Sequence, residues 1–143
     1  MSLLPLKQLM EECMNCTKCP LHNVRNNVVF GEGNLRSKIM FIGEGPGRDE
    51  DMQGRPFVGR AGQLLNKMLE AINLKREDVY IANIVKCRPP NNRVPLQNEV
   101  DACLPYLRNQ VAIIAPKIIV CLGATAAKAI IDKDFKITVM RGQ

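Results

Sequence analysis

The chain has 143 residues, 46% hydrophobic and 24% charged, which fits one folded domain with a real core and excludes a disordered, low-complexity protein. Lysine and arginine outnumber the acids 20 to 14; this formal charge of +6 suits a polyanionic partner, chiefly nucleic acid, and equally a mildly basic cytoplasmic protein without one. No run approaches the roughly 20 apolar residues of a membrane span, and Met1 to Met10 lacks the basic-then-apolar pattern of a secretory leader, so the expectation is a monomer in the cytoplasm with no membrane partner.

Leu3 to Cys13 has the Leu, Met, Glu and Lys content of a helix, ended by Cys16 to Pro20. Lys38 to Gly43 reads as a buried strand, and Gly43 to Arg60 as a turn-rich, mostly polar stretch. Ala61 to Asn73 predicts an amphipathic helix whose apolar face is Leu65, Met68, Leu69 and Ile72. Val79 to Val85 is a second strand and Lys86 to Val94 a loop. Pro95 to Ala115 predicts a helix opening on Pro95, with Pro105 as a break or kink. Lys117 to Leu122 is a third strand, Ala124 to Ile131 a short helix, and Lys136 to Met140 a fourth strand. Strands alternating with helices imply an α/β fold: a central, mostly parallel, four-stranded sheet flanked by helices in three layers. Ligands of such sheets bind beyond the C-terminal strand ends, where Gly43 to Gly47, Asn83 to Arg88 and Gly123 converge.

Six cysteines in a chain read as cytoplasmic point to metal ligation rather than disulfides. Cys16 and Cys19 form a CxxC pair, and Cys87 and Cys103 can close a four-sulfur site, suited to tetrahedral zinc or to an iron–sulfur cluster. Cys13 makes a second CxxC with Cys16, and spacing leaves open which pair supplies the ligands. Cys121 reads as a core thiol.

Gly43-Glu44-Gly45-Pro46-Gly47 lets backbone N–H groups approach a ligand, but it has neither the dinucleotide nor the P-loop spacing. Asp49, Glu50 and Asp51 would repel a phosphate; they can orient a water or stabilise a developing cation, although for at least two of the three a solvated acidic loop is the plainer reading. Phe57, in a polar loop, is either a stacking platform for a base or an anchor on the core, with nothing to choose between them. Asn83 is polar in an apolar strand, and its amide can read a base edge. Arg55, Arg60, Lys86, Arg88 and Arg93 can contact phosphates, while scattered surface charge is the plainer reading of each. His22, the only histidine, has no visible catalytic partner and reads as a surface residue.

Taken together, Val29-Phe30-Gly31-Glu32-Gly33-Asn34, Gly43 to Gly47, Gly54-Arg55-Pro56-Phe57-Val58-Gly59, Ala61 to Asn66, Asn83 to Pro90 and Ile113 to Gly123 make the chain resemble the family 4 uracil-DNA glycosylases. These form the iron–sulfur branch of the uracil-DNA glycosylase superfamily, and the resemblance covers nearly the whole chain. It implies a DNA-repair hydrolase of the base excision pathway. Such an enzyme flips uracil out of DNA and hydrolyses its N-glycosidic bond to leave an abasic site. It implies a [4Fe–4S] cluster of structural role on Cys16, Cys19, Cys87 and Cys103, with Cys13 a spare thiol. It implies that uracil stacks on Phe57 and is read by Asn83. Backbone N–H groups around Glu44 and Gly45 would stabilise charge at uracil O2. Glu44 would position water and the sugar, and Glu50 is a weaker candidate for that role. The family carries a C-terminal His-Pro motif that does not appear in these 143 residues, and His22 does not replace it, so the expectation is a single domain, 1–143, without its C-terminal part, either as a piece of a longer protein or as a naturally shortened one. Two other readings compete: a non-enzymatic, metal-stabilised nucleic-acid-binding module and a zinc-stabilised structural protein.

Overall fold

The computed structural model describes residues 4–132 and 139–141. Helix α1 (Leu4–Met14) leads to the two-residue strand β1 (Glu32–Gly33) and then to β2 (Ile39–Gly43). Two helices follow, α2 (Arg48–Gln53) and α3 (Arg60–Ala71), then β3 (Tyr80–Asn83), α4 (Gln97–Ile114), β4 (Ile118–Cys121), α5 (Ala124–Asp132) and β5 (Val139–Arg141). The strands form one sheet in the order β1-β3-β2-β4-β5. All neighbours are parallel except β1 and β3. The four-strand parallel core expected from the sequence is thus present, and β1 extends it by an antiparallel edge. The first residues of the fourth expected strand, 136–138, lie outside the described residues.

Side chains on successive strand residues point to opposite faces, and this divides the core. Met40, Ile42, Tyr80, Ala82, Ile119 and Cys121 pack under α1, α4 and α5, with Leu6, Leu9 and Cys13 from α1 and Leu104, Leu107 and Val111 from α4. On the other face Phe41, Val79 and Ile81 meet Leu65 and Leu69 of α3. Each fully buried side chain of this size contributes about 1.5–3 kcal/mol. Helix α3 is narrower in its grip than expected, because Met68 and Ile72 are 45% and 59% exposed and only Leu65 and Leu69 reach the core. A single small helix over a short sheet has room for one apolar ridge.

Two further expectations are corrected. The stretch 43–60 is not all turn: α2 forms within it, with Asp49, Glu50 and Asp51 in its first turn, where carboxylates complement the helix dipole. Helix α4 runs unbroken through Pro105, which lies on its exposed side. Among the described residues no helix is long and apolar enough to cross a membrane.

Candidate active site

β2 and β3 end level with each other, since Gly43 is the register partner of Asn83. A glycine is required at that point. A β-carbon on Gly43 would collide with the Phe57 ring and lie 2.6 Å from Asn83 Oδ1. Its absence brings the ring and the amide together over the strand end. Asn83 is 2% exposed, and its Oδ1 has no hydrogen-bond partner. Buried acceptors are normally satisfied, so this one is prepared for something that enters from outside.

Entry is through a cleft of about 260 Å³ lined by Glu44, Gly45, Pro46, Gly47, Glu50, Phe57, Ala61, Asn83, Pro89, Asn92 and Arg93. That volume suits one planar base rather than a dinucleotide. The five side chains and backbone segments singled out from the sequence as catalytic or base-binding (Glu44, Gly45, Glu50, Phe57 and Asn83) all border it. Their roles are not equivalent. Glu44 accepts a hydrogen bond of 2.7 Å from Thr125 Oγ1, at the start of α5. Glu50 accepts from the N–H groups of Gly47, Val58 and Gly59 at 2.9, 2.9 and 2.7 Å. Its carboxylate is therefore committed to holding the 57–59 loop rather than to orienting a water. Asp51 is 1% exposed and accepts from Asn26 N, Asn26 Nδ2 and Asn27 N. The acidic run is thus largely structural, not solvated, and only Asp49 is exposed.

The basic residues expected at this edge are mostly engaged. Arg55 pairs with Glu32 at 2.8 Å and Arg93 with Glu99 at 2.8 Å, and Arg88 Nε donates to Asn92 Oδ1. Lys86 is 1% exposed; its Nζ donates to the Asn83 carbonyl at 2.9 Å and lies 5.8 Å from the centre of the Phe30 ring. Burial pulls its ammonium down to about 8. Arg60 is exposed.

A second cavity is bordered by Lys86 and Cys87, a few residues along from Asn83 of the cleft. Cys16, Cys19, Cys87 and Cys103 line it, together with Cys13, Arg25, Lys86 and His22. The sulfurs receive hydrogen bonds from Lys18 N to Cys16 (3.5 Å), Arg25 Nη1 to Cys87 (3.3 Å) and Lys86 N to Cys103 (3.1 Å). Burial pushes the Cys13 and Cys103 thiols up to about 12 and also raises those of Cys19 and Cys87. Such thiols ionise when a bound cation replaces their protons. Among the described residues no three His, Cys, Asp or Glu side chains are grouped so as to hold a single metal ion. Cys121 is buried in β4 as a core thiol.

Residues 30–141 match the model of the uracil DNA glycosylase superfamily. The chain is 56% identical over 133 residues to the type-4 uracil-DNA glycosylase of Thermotoga maritima, covering 92% of this chain and 69% of that protein. It belongs to the type-4 uracil-DNA glycosylase family. It is 54% identical over 127 residues to the type-4 enzyme of Archaeoglobus fulgidus, covering 89% of this chain and 64% of that one. Identity to a type-5 uracil-DNA glycosylase of Pyrobaculum aerophilum falls to 32% over 149 residues, 82% of this chain and 66% of that one. The chain spans about two thirds of the length of the type-4 relatives it matches.

Within this type-4 glycosylase frame, the structure adds Thr125 and Arg76, which line neither cavity but hold residues of the cleft, and revises the surroundings of His22 and Cys13. Thr125 reaches Glu44 from a helix 81 positions away, and no local signal announces it. Arg76 holds the Phe57 loop from a short turn before β3. His22 is half-buried rather than a surface residue, with Nδ1 2.7 Å from the Cys19 carbonyl oxygen. Cys13, read as a spare thiol, is 1% exposed and shares the cysteine cavity.

Proposed function

We propose that this protein removes uracil from DNA by hydrolysing the N-glycosidic bond of a flipped deoxyuridine. The observation that carries the reading is the unpartnered, buried Asn83 Oδ1 beside the Phe57 ring, facing a cleft the size of one base. Uracil offers N3–H as a donor next to O4 as an acceptor, and a side-chain amide complements both. Cytosine presents the reverse pattern and leaves the same amide mismatched, which is where strong discrimination comes from. Phe57 supplies the stacking surface that repays part of the unstacking needed to flip the base.

Departure of uracil leaves negative charge on the base and positive charge on the sugar. Backbone N–H groups around Glu44 and Gly45 stabilise the anion at O2 by fixed dipoles. Glu44, steadied by Thr125, places its carboxylate where it orients the attacking water and offsets the cationic sugar. Glu50 acts on the loop rather than on the reacting atoms. The basic excess of the chain favours approach of DNA.

Cys16, Cys19, Cys87 and Cys103 would hold a [4Fe–4S] cluster. The support is a donor set of thiols around one cavity, with Lys18, Arg25 and Lys86 beside it and a hydrogen bond from Arg25 to Cys87 Sγ. The cluster supplies cross-linking when bound: it ties the end of α1, the 86–88 segment and α4 into one frame. Chemistry at the base is left to this chain's own residues.

The test is release of free uracil from a uracil-containing strand by cluster-loaded protein, against an unmodified strand. Release confined to the uracil strand is the expected result. DNA binding without release would assign the chain to the nucleic-acid-binding module instead.

A further inference from the structure

Phe57 has φ 51°, a left-handed conformation that a bulky residue keeps only when its surroundings impose it. Two oppositely charged side chains impose it here. Arg76 grips the carbonyls on both sides of the Phe57 α-carbon, donating from Nη2 to Pro56 O at 2.7 Å and from Nη1 to Phe57 O at 2.8 Å. Just beyond the kink, Glu50 Oε2 accepts from the N–H groups of Val58 and Gly59. Gly62 leaves the space: a β-carbon there would overlap the Phe57 carbonyl. Arg76 is itself fixed. Its side chain is 17% exposed, and Nη2 lies 2.9 Å from Glu32 Oε2.

We propose that Arg76 is a positioning residue for base recognition, clamping Phe57 in its left-handed conformation so that the ring stands beside Asn83 as the uracil platform. The proposal rests on the reading of Phe57 as that platform. Two adjacent carbonyls converge on one guanidinium only while the backbone is kinked at Phe57. Relaxation of φ to its ordinary range rotates at least one of them away and swings the ring off Gly43. A planar fork spans both acceptors; a single ammonium cannot. Arg76 does not line the cleft, so it acts on the base only through Phe57.

The experiment is equilibrium binding of cluster-loaded full chain to a strand carrying one non-cleavable 2′-fluoro-deoxyuridine and to the same strand with thymidine, which reports binding outside the pocket. Wild type, Phe57→Ala, Arg76→Met, Arg76→Lys and the Phe57→Ala/Arg76→Met double variant are compared. Phe57→Ala should reduce the uracil preference about tenfold, the worth of one stacked base. Arg76→Met should lose most of the same factor and add nothing in the Phe57→Ala background, because residues acting as one unit are non-additive. Arg76→Lys should fall between. Independent, multiplying effects, or full preference in Arg76→Met, would overturn the clamp while leaving the platform standing. Full preference in Phe57→Ala, or none in wild type, would remove the platform and the clamp with it. Thermal unfolding of each variant establishes that it is folded. If Arg76→Met is not, Arg76→Lys carries the same cycle, with a partial loss expected that vanishes in the Phe57→Ala background.

Discussion

Asn83→Ala separates recognition from stability, and the structure sets both magnitudes. The side chain is 2% exposed and its Oδ1 makes no hydrogen bond. A buried acceptor without a partner costs about 1–3 kcal/mol, so its removal offsets the packing lost with the truncated amide. The net change in stability should stay within about 1 kcal/mol, a shift of roughly 4 °C in Tm for a chain of this size. The functional loss is larger. A bidentate amide-to-base contact discriminates by about 1–3 kcal/mol, roughly 5- to 150-fold against the wrong base. Single-turnover release from strands carrying uracil or cytosine, alongside thermal unfolding, measures both quantities. Slow uracil release with an unchanged Tm is the expected pair. A Tm lower by about 10 °C or more would show that the amide holds the fold rather than the base, and undiminished release would remove Asn83 from recognition altogether.

Cys87→Ala should lose bound iron and its visible absorbance and lower Tm, whereas a full iron complement would show that the ligand set is different. Thr125→Val removes the hydroxyl donated to Glu44 and should lower the maximal release rate by about tenfold, the worth of one hydrogen bond to a charged group, with DNA affinity unchanged; Thr125→Ser should restore it, and equal rates in both would dismiss the contact. Stability should also depend on pH through Glu99, whose carboxyl Arg93 holds below its ordinary value of 4.5. A depressed folded-state value means the contribution is complete above 4.5 and disappears as pH falls through the lower folded value. Tm recorded down an acid series should therefore fall less steeply in Glu99→Gln than in wild type, and parallel curves would contradict the pairing.

The periodicities that distinguish strand from helix were legible because they are local. Ile39 to Gly43, Tyr80 to Asn83 and Ile118 to Cys121 follow from short apolar runs that end in glycine or polar residues, and their parallel order follows from the helices between them. Helix α2 was hidden because Gly47 and Gly54, which bracket it, make the whole stretch look like turn. Met68 and Ile72 continue the spacing of a buried face, but nothing in the sequence tells how far the sheet extends beneath them. Asn83 and Phe57 stood out because each is out of character with its neighbours. Thr125 and Arg76 did not, since their importance lies in contacts 81 and 19 positions away along the chain. Glu50 was noticed for its charge, yet its function is set by three amides whose convergence only the folded loop creates.

Lys86 joins what otherwise look like two separate centres. Its N–H meets Cys103 Sγ, its carbonyl accepts from Val29 N, and its ammonium meets the carbonyl of Asn83. A disturbance at the sulfurs therefore has one residue to cross before it reaches the backbone of Asn83. A change of side chain at position 86 would thus touch the cysteine cavity and the end of β3 at once.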